Sequence, residues 1–394
     1  MIKYTLILFL FPMVLFSEST LENTSFKNNI EAEAQLFHYT IDKKTAPDAY
    51  ATALGGYLKY TTDSYYNIFA SARFNSSNPV GDNKNKMVTT MFNNDKNGTA
   101  LHANSEAFIG YKTSSGVVKI GNMILNTPMM NEDTTRIVPW SYQGVNYTDN
   151  LTKDIKIALY YINQIRSNTS SRYKKKSASG EIGDSGLSLL SVKYNGINGL
   201  HLQSHFYYAP ELYSTFVGQL DYEFANKFDT LYCFGIQYFR SGAGGEYART
   251  KSRLGGDDIN LVALRAMLDA EDWKLSLNYS RNYGDSGVIK GYGGLAKVYT
   301  TSMVANGRGN FKPETWMIKS SYNLPFNSHD SEIAFRLANT RVHDENGNGF
   351  FAYYLHLKHF FNAHASIYLR YENINYNTNK SDTQYFRAIA KYKF

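Results

Sequence analysis

The strongest constraint on this chain is a two-residue alternation of apolar and polar side chains that returns, segment after segment, from the C-terminus back to about residue 28. In the last segment Gln384, Phe386, Ala388, Ala390, Tyr392 and Phe394 share one face, and Tyr385, Arg387, Ile389, Lys391 and Lys393 share the other. Successive side chains of a strand point to opposite sides, so one face suits lipid and the other water. The preceding segment sets Ala363, Ala365, Ile367, Leu369 and Tyr371 against His364, Ser366, Tyr368, Arg370 and Glu372. Ile333, Phe335 and Leu337 likewise oppose Glu332, Arg336 and Ala338, and Trp273, Leu275, Leu277 and Tyr279 oppose Lys274, Ser276 and Asn278. One such strand says little; a long series is the pattern of a transmembrane β-barrel.

Taken as strands, the runs number 18: 28–39, 50–60, 65–75, 103–112, 116–122, 141–148, 154–165, 186–194, 198–208, 213–225, 229–240, 257–268, 271–282, 314–323, 331–340, 349–360, 363–374 and 383–394. The expected fold class is all-β, an 18-stranded antiparallel transmembrane barrel, and the count is even as a single-chain bacterial barrel requires. The connections agree. Tight turns at Thr61 to Ser64, Thr113 to Ser115, Asn195 to Asn198 and Asp269 to Glu271 alternate with long polar stretches near 76–102, 123–140, 166–185, 241–256 and 283–313. Short periplasmic turns alternating with long outer loops is barrel topology.

Beyond Phe16 no apolar run reaches the ~18 to 20 residues that a membrane helix needs. Lys3, the apolar stretch Tyr4 to Phe16 and the small or polar Ser17, Ser19 and Thr20 form a signal-peptide pattern. We expect a leader over 1–19, export to the bacterial outer membrane, and a single barrel domain over 20–394. The 33 Tyr and 24 Phe make the chain aromatic-rich while its mean hydropathy stays negative, as a sheet with one lipid face and one wet face would be. With only 8 Pro, long paired strands lose few ladder hydrogen bonds. The net charge of +7 comes from scattered Lys and Arg, which speaks against a nucleic-acid block and for a distributed field.

One segment is more specific than periodicity. Gly121 is followed by Thr127-Pro128, then Asp133 and Arg136, then Pro139, Tyr142 and Gly144. This resembles the third-loop region of the OprD family of outer-membrane porins. The chain departs from the family pattern at Asn122, where a basic residue is usual. The resemblance implies an inward-folded third loop narrowing the pore, with Asn126, Thr127, Pro128, Asp133 and Arg136 as its constriction residues. It also implies a monomer or weak homotrimer, a wall ladder of Arg and Lys that guides small carboxylate-bearing solutes, and no cofactor. The terminal Phe394 resembles an assembly signal read by the barrel-assembly machinery. Outer-membrane lipid and lipopolysaccharide are the expected surroundings, the basic run Arg172 to Lys176 being one place for contact.

On the expected inward face, the candidates for the ladder are Arg73, Lys119, Lys156, Lys274, Lys319, Arg336, Lys358, Arg370, Arg387 and Lys391, with Glu31, Glu33, Asp221 and Glu223 as an acidic counter-patch. Arg336, Arg370 and Arg387 stand out because each sits mid-strand on a strongly alternating segment. Aromatic residues near strand ends, including Tyr60, Tyr66, Phe74, Tyr160, Tyr161, Tyr208, Trp273, Tyr279, Trp316, Tyr322 and Tyr371, are candidates for the girdles at the two lipid boundaries.

Covalent chemistry finds little support. Gly-Asp-Ser-Gly occurs at Gly183 to Gly186 and at Gly284 to Gly287, but a nucleophile needs a base and an orienting acid, and Gly-rich loops explain both copies. His356 and His359, three apart in a strand, fall on opposite faces. The single Cys233 cannot make an internal disulfide. The expectation is therefore a passive diffusion channel, not an enzyme, with a surface adhesin or a barrel enzyme as the alternatives.

Overall fold

The computed structural model describes residues 29–394 apart from 95–96, 178–179, 182, 211, 227–229, 244–257, 285–291, 303–311, 327–328, 344–348 and 378–381. The expected leader at 1–19 and part of the second Gly-Asp-Ser-Gly stretch lie outside the described residues.

Eighteen strands close into one barrel: β1 Ile30–Lys43, β2 Ala49–Thr61, β3 Ile68–Pro79, β4 Leu101–Lys112, β5 Gly116–Met123, β6 Ser141–Asn150, β7 Ile155–Arg166, β8 Leu187–Ile197, β9 Leu200–Tyr208, β10 Tyr213–Ala225, β11 Leu231–Ala243, β12 Asp258–Ala270, β13 Trp273–Asn282, β14 Pro313–Phe326, β15 His329–Val342, β16 Phe350–Phe360, β17 Ala365–Tyr376 and β18 Thr383–Lys393. Each pairs antiparallel with the next, and β18 closes on β1 from Glu33↔Lys393 to Lys43↔Thr383. Closure leaves no unpaired edge, which lipid could not hydrate. Among the described residues, one end carries tight connections such as 113–115, 198–199 and 271–272, whereas the other carries longer ones such as 80–100, 124–140 and 167–186. Every strand expected from the alternation is present, with ends shifted by a few residues.

The apolar side is outside. Leu58, Ile109, Ile120, Leu264, Leu275, Leu277, Ile318 and Leu355 are all exposed on the outer wall, an apolar surface far larger than a water-soluble monomer carries. On β13 and β14 this band is bracketed by two ring pairs, Trp273 with Tyr322 at 4.7 Å between centroids and Tyr279 with Trp316 at 4.5 Å. Amphipathic rings at both ends of an apolar stripe mark the two membrane boundaries. Tyr160 is no girdle residue: it points inward and packs against the apolar cluster that fills part of the lumen.

Candidate functional site

The third loop leaves the wall where two glycines face each other, Gly121 of β5 opposite Gly144 of β6. Gly121 has φ +135, and a Cβ there would lie 2.2 Å from the carbonyl oxygen of Ala107; a Cβ on Gly144 would lie 1.9 Å from that of Tyr161. Only glycine permits so close a backbone approach. Gly121→Val is accordingly expected to abolish most of the heat-modifiable, folded barrel on a gel, whereas Asn122→Ala, one residue on, should leave it intact.

From there the loop crosses the lumen. Thr127 Oγ1 accepts a hydrogen bond from Tyr207 of β9 at 2.9 Å, and Tyr207 Oη accepts one from the Met129 N–H at 3.1 Å. At its far side Ile137 packs with Phe37, Tyr39 and Ile41 of β1, and its carbonyl accepts from Asn75 of β3 at 3.2 Å. In an 18-strand ring, β9 and β1 are almost diametrically opposed. The return into β6 is pinned by Arg166, fully buried, whose Nη2 donates to the Pro139 carbonyl at 2.9 Å and to Ser105 Oγ at 3.0 Å.

Asp133, at φ +51, accepts from Thr135 Oγ1 at 2.7 Å and so shapes the loop's tip. Arg136 donates through Nε to Thr90 Oγ1 at 2.9 Å and through Nη1 to the Thr135 carbonyl at 2.7 Å. Its guanidinium lies over the Tyr39 ring at 5.1 Å. Burial first, then the field of Arg387, holds its pKa below the ordinary arginine value.

Residues 292–302, between β13 and β14, also turn inward, which the sequence did not disclose. Tyr292, Ala296, Val298 and Tyr299 join the lumen cluster with Tyr207, Val217, Phe239 and Leu261. The two loops are joined directly: Asn131 donates to the Leu295 carbonyl at 2.6 Å and accepts from the Leu295 N–H at 3.1 Å, the Lys297 N–H donates to the Pro128 carbonyl at 3.0 Å, and Lys297 Nζ reaches Asn126 Oδ1. Together they cover the inner wall over β7–β12. Burial, followed by the hydrogen bond to Asp221, raises the Tyr299 phenol's pKa far above its ordinary value.

On the remaining wall the cations gather. Lys319 of β14 stands opposite Arg336 of β15, and Arg370 of β17 opposite Arg387 of β18. Arg336 lies over the Tyr354 ring at 4.7 Å, Arg370 over Tyr368 at 5.6 Å and Arg387 over Tyr39 at 4.5 Å. Arg265 of β12, absent from the expected ladder, extends the row. It pairs with Asp221 at 2.7 Å, lies over Tyr299 at 4.6 Å, and acts electrostatically on Lys319. Six strand spacings of ~4.8 Å separate β12 from β18, so the arc covers about 29 Å of wall. Arg136 meets its end from the third loop.

The other expected rungs lie elsewhere. Lys358, over Phe360 at 4.2 Å, and Lys391, paired with Glu33 at 3.5 Å, form a step toward the short-turn end. Arg73 stacks on Tyr57 at 3.8 Å and Lys119 on Phe108 at 4.8 Å, on a separate wall beside Lys59 and Glu106. Lys156, opposite Lys193, and Lys274, paired with Asp269 at 2.8 Å, sit at the short-turn mouth. The four acids do not make one counter-patch. Glu31 and Glu33 belong to β1, Asp221 and Glu223 to β10, half the ring away, and each is beside its own basic partner: Lys59, Lys391, Arg265 and His201. Phe394 ends the chain with its N–H donating to the Ala32 carbonyl at 3.1 Å and its ring exposed.

A family model described as outer membrane porin, OprD family, matches residues 69–327. Among solved structures, Pseudomonas aeruginosa OccK8 (OprE) is similar with a TM-score of 0.78 at 13% identity, over 94% of this chain and 99% of its own. Acinetobacter baumannii OccAB1 gives 0.78 at 16% identity, over 95% and 98%. Pseudomonas aeruginosa OpdK, solved with vanillate, gives 0.77 at 14% identity, over 94% and 99%. Comparison with curated proteins gives no match.

Proposed function

Because this chain belongs to the OprD family of outer membrane porins, and so sits in the bacterial outer membrane as a diffusion channel, we propose that its pore prefers small carboxylate-bearing anions and zwitterions such as amino acids. The observation that carries this reading is the gathering of Arg265, Lys319, Arg336, Arg370, Arg387 and Arg136 on one side of the lumen, from β12, β14, β15, β17, β18 and the third loop. Crowding like charges on one wall costs free energy, and evolution tolerates such a cost where a function uses it. Charges along a narrow aqueous path with low-dielectric walls concentrate ions of the opposite sign.

Among the described residues Arg370 Nε and Arg387 Nε and Nη1 are buried without a protein acceptor, so the charge of these guanidiniums is not neutralised by hydrogen bonds at those atoms. A guanidinium can accept a carboxylate through two parallel hydrogen bonds and release it to the next rung. The vanillate of the similar OpdK structure is itself a carboxylate. In this reading the third and seventh outer loops narrow the passage against the arc, Asn126, Thr127 and Pro128 fix the third loop's base, and Asp133 and Arg136 set its tip. The barrel is a single domain, a monomer or weak homotrimer.

The test is the reversal potential of the detergent-purified barrel in a planar bilayer under a potassium chloride gradient. Discrete steps with a potential of anion-preferring sign are expected; a cation-preferring or null potential would remove the ladder from the mechanism.

A further inference from the structure

The cation row on the lumen wall has a break. From β14 to β18 every strand but β16 places an arginine or lysine on it, and where the register sets Arg370 of β17 against β16 the residue is His356. Leu355 beside it is exposed on the outer wall, while His356 is buried together with Tyr354. Alternation therefore turns the His356 ring toward the lumen. His359, three residues on, takes the other face and lies 2.6 Å from Ser331.

The imidazole shares the aromatic bed of the arginines. It stacks on Tyr368 at 6.0 Å between centroids with 18° between planes, and meets Tyr354 at 6.1 Å edge to face. Arg370 lies over the first of these rings at 5.6 Å and Arg336 over the second at 4.7 Å. The charged and titratable groups around it are Glu332 and Arg336 of β15, Tyr354 and Lys358 of β16, and Tyr368, Arg370 and Glu372 of β17, with Arg387 and Lys391 of β18 beyond them. Arg370, Arg336 and Lys358 all act electrostatically on the ring. Glu332 Oε1 is 3.9 Å from its Nδ1, and Nε2 is buried without a protein partner among the described residues. A phenylalanine would stack equally well and bring no polar atom that needs a partner. What imidazole adds is a charge that changes between about pH 5 and 8 in ordinary surroundings, where Lys and Arg stay charged.

We propose that His356 is a selectivity-determining residue, a conditional rung of the cation row. Neutral, it leaves β16 without a charge at this level; protonated, it joins Arg336 to Arg370 and raises the preference for anions. This role rests on the anion-preference reading, because an added wall charge tunes selectivity where permeating ions already pass that wall. Glu332 offsets part of the added field and keeps the effect to about one rung. Small carboxylates stay ionised down to about pH 4, so mildly acid surroundings would favour their passage.

The experiment measures the reversal potential under a potassium chloride gradient for wild type, H356Q and H356R from pH 8 to pH 4, each barrel verified as folded by heat-modifiability. Glutamine fixes the position neutral and arginine fixes it charged. One wall charge about 8 Å from a permeating ion changes the anion-to-cation ratio about twofold. The H356R ratio is therefore expected to stay about twofold above that of H356Q, with wild type climbing from the lower curve toward the higher one as the pH falls. Carboxylates such as Glu332 and Glu372 titrate in all three proteins, so comparison at each pH isolates the imidazole. Coincident H356Q and H356R curves would overturn the rung, because a charge at this position would then not act on the ion. Wild type parallel to H356Q down to pH 4 would overturn its conditional character. Should H356R fail to fold, H356F against wild type decides: it keeps a ring on Tyr368, and an equal rise of the ratio in both on acidification excludes the imidazole. Cation preference in every protein at pH 8 would count against the anion-preference reading itself, and the gap between H356R and H356Q would still decide for or against His356.

Discussion

Replacing Arg336, Arg370 and Arg387 together with glutamine is expected to lower the anion-to-cation permeability ratio several-fold to roughly tenfold while the barrel stays folded. A wall charge about 8 Å from a permeating ion is worth roughly 0.5 kcal/mol in water, so three contribute about 1.5 kcal/mol, near a factor of ten. Screening with a Debye length of about 10 Å at 0.1 M salt reduces that, and the drop should therefore be larger in dilute salt. Folding should survive because each guanidinium lies against a ring, Tyr354, Tyr368 or Tyr39, and removing the charge relieves repulsion with Lys319 and Arg136. The measurement is the reversal potential of wild type and variant at two salt concentrations. An unchanged ratio would mean that selection occurs at the loops.

Arg336, Arg370 and Arg387, whose inward facing was readable from the alternation, share one property: they lie on strands whose two faces differ sharply in polarity. Arg336, Arg370 and Arg387 alternate with leucines, alanines and aromatic residues, so the inward face is unambiguous. Arg265 escaped because β12 is apolar on both faces there. Ala263, Leu264, Ala266 and Met267 surround it, and apolar residues on both faces destroy the period-two signal. The acidic patch failed for a different reason. Facing was right for Glu33 and Asp221, but proximity in a closed barrel depends on strand number around the ring, and β1 and β10 are half a turn apart.

Loops are where local reading ends. The residues 283–312 look like any outer loop, rich in Gly, yet Tyr292 and Tyr299 bury in the lumen through partners such as Thr215, Tyr207 and Asp221 that are far away in sequence. Nothing within the segment encodes that. The third loop was legible only through its resemblance to a family, not through its own periodicity, and the glycines that set its departure point make sense only once Gly121 and Gly144 are seen opposite each other.

Breaking the joint between the two inward loops should have the second large effect. Asn131→Ala removes both hydrogen bonds to Leu295 and leaves a half-buried carbonyl and N–H without them, a local penalty of about 1–3 kcal/mol. The barrel's own strand ladder is untouched, so global stability should barely move while the loops separate. Single-channel conductance is expected to rise roughly twofold with added open-channel noise, since the passage is limited where these loops lie. Gly294→Val reaches the same end by another route. Gly294 has φ +73 and a Cβ there would lie 2.6 Å from the Asn131 carbonyl oxygen, so a branched side chain must push the loops apart. Two variants that share no chemistry and both raise conductance would place the narrowest point at this joint. Conductance unchanged in both would place it instead between Arg136 and the Arg387 wall.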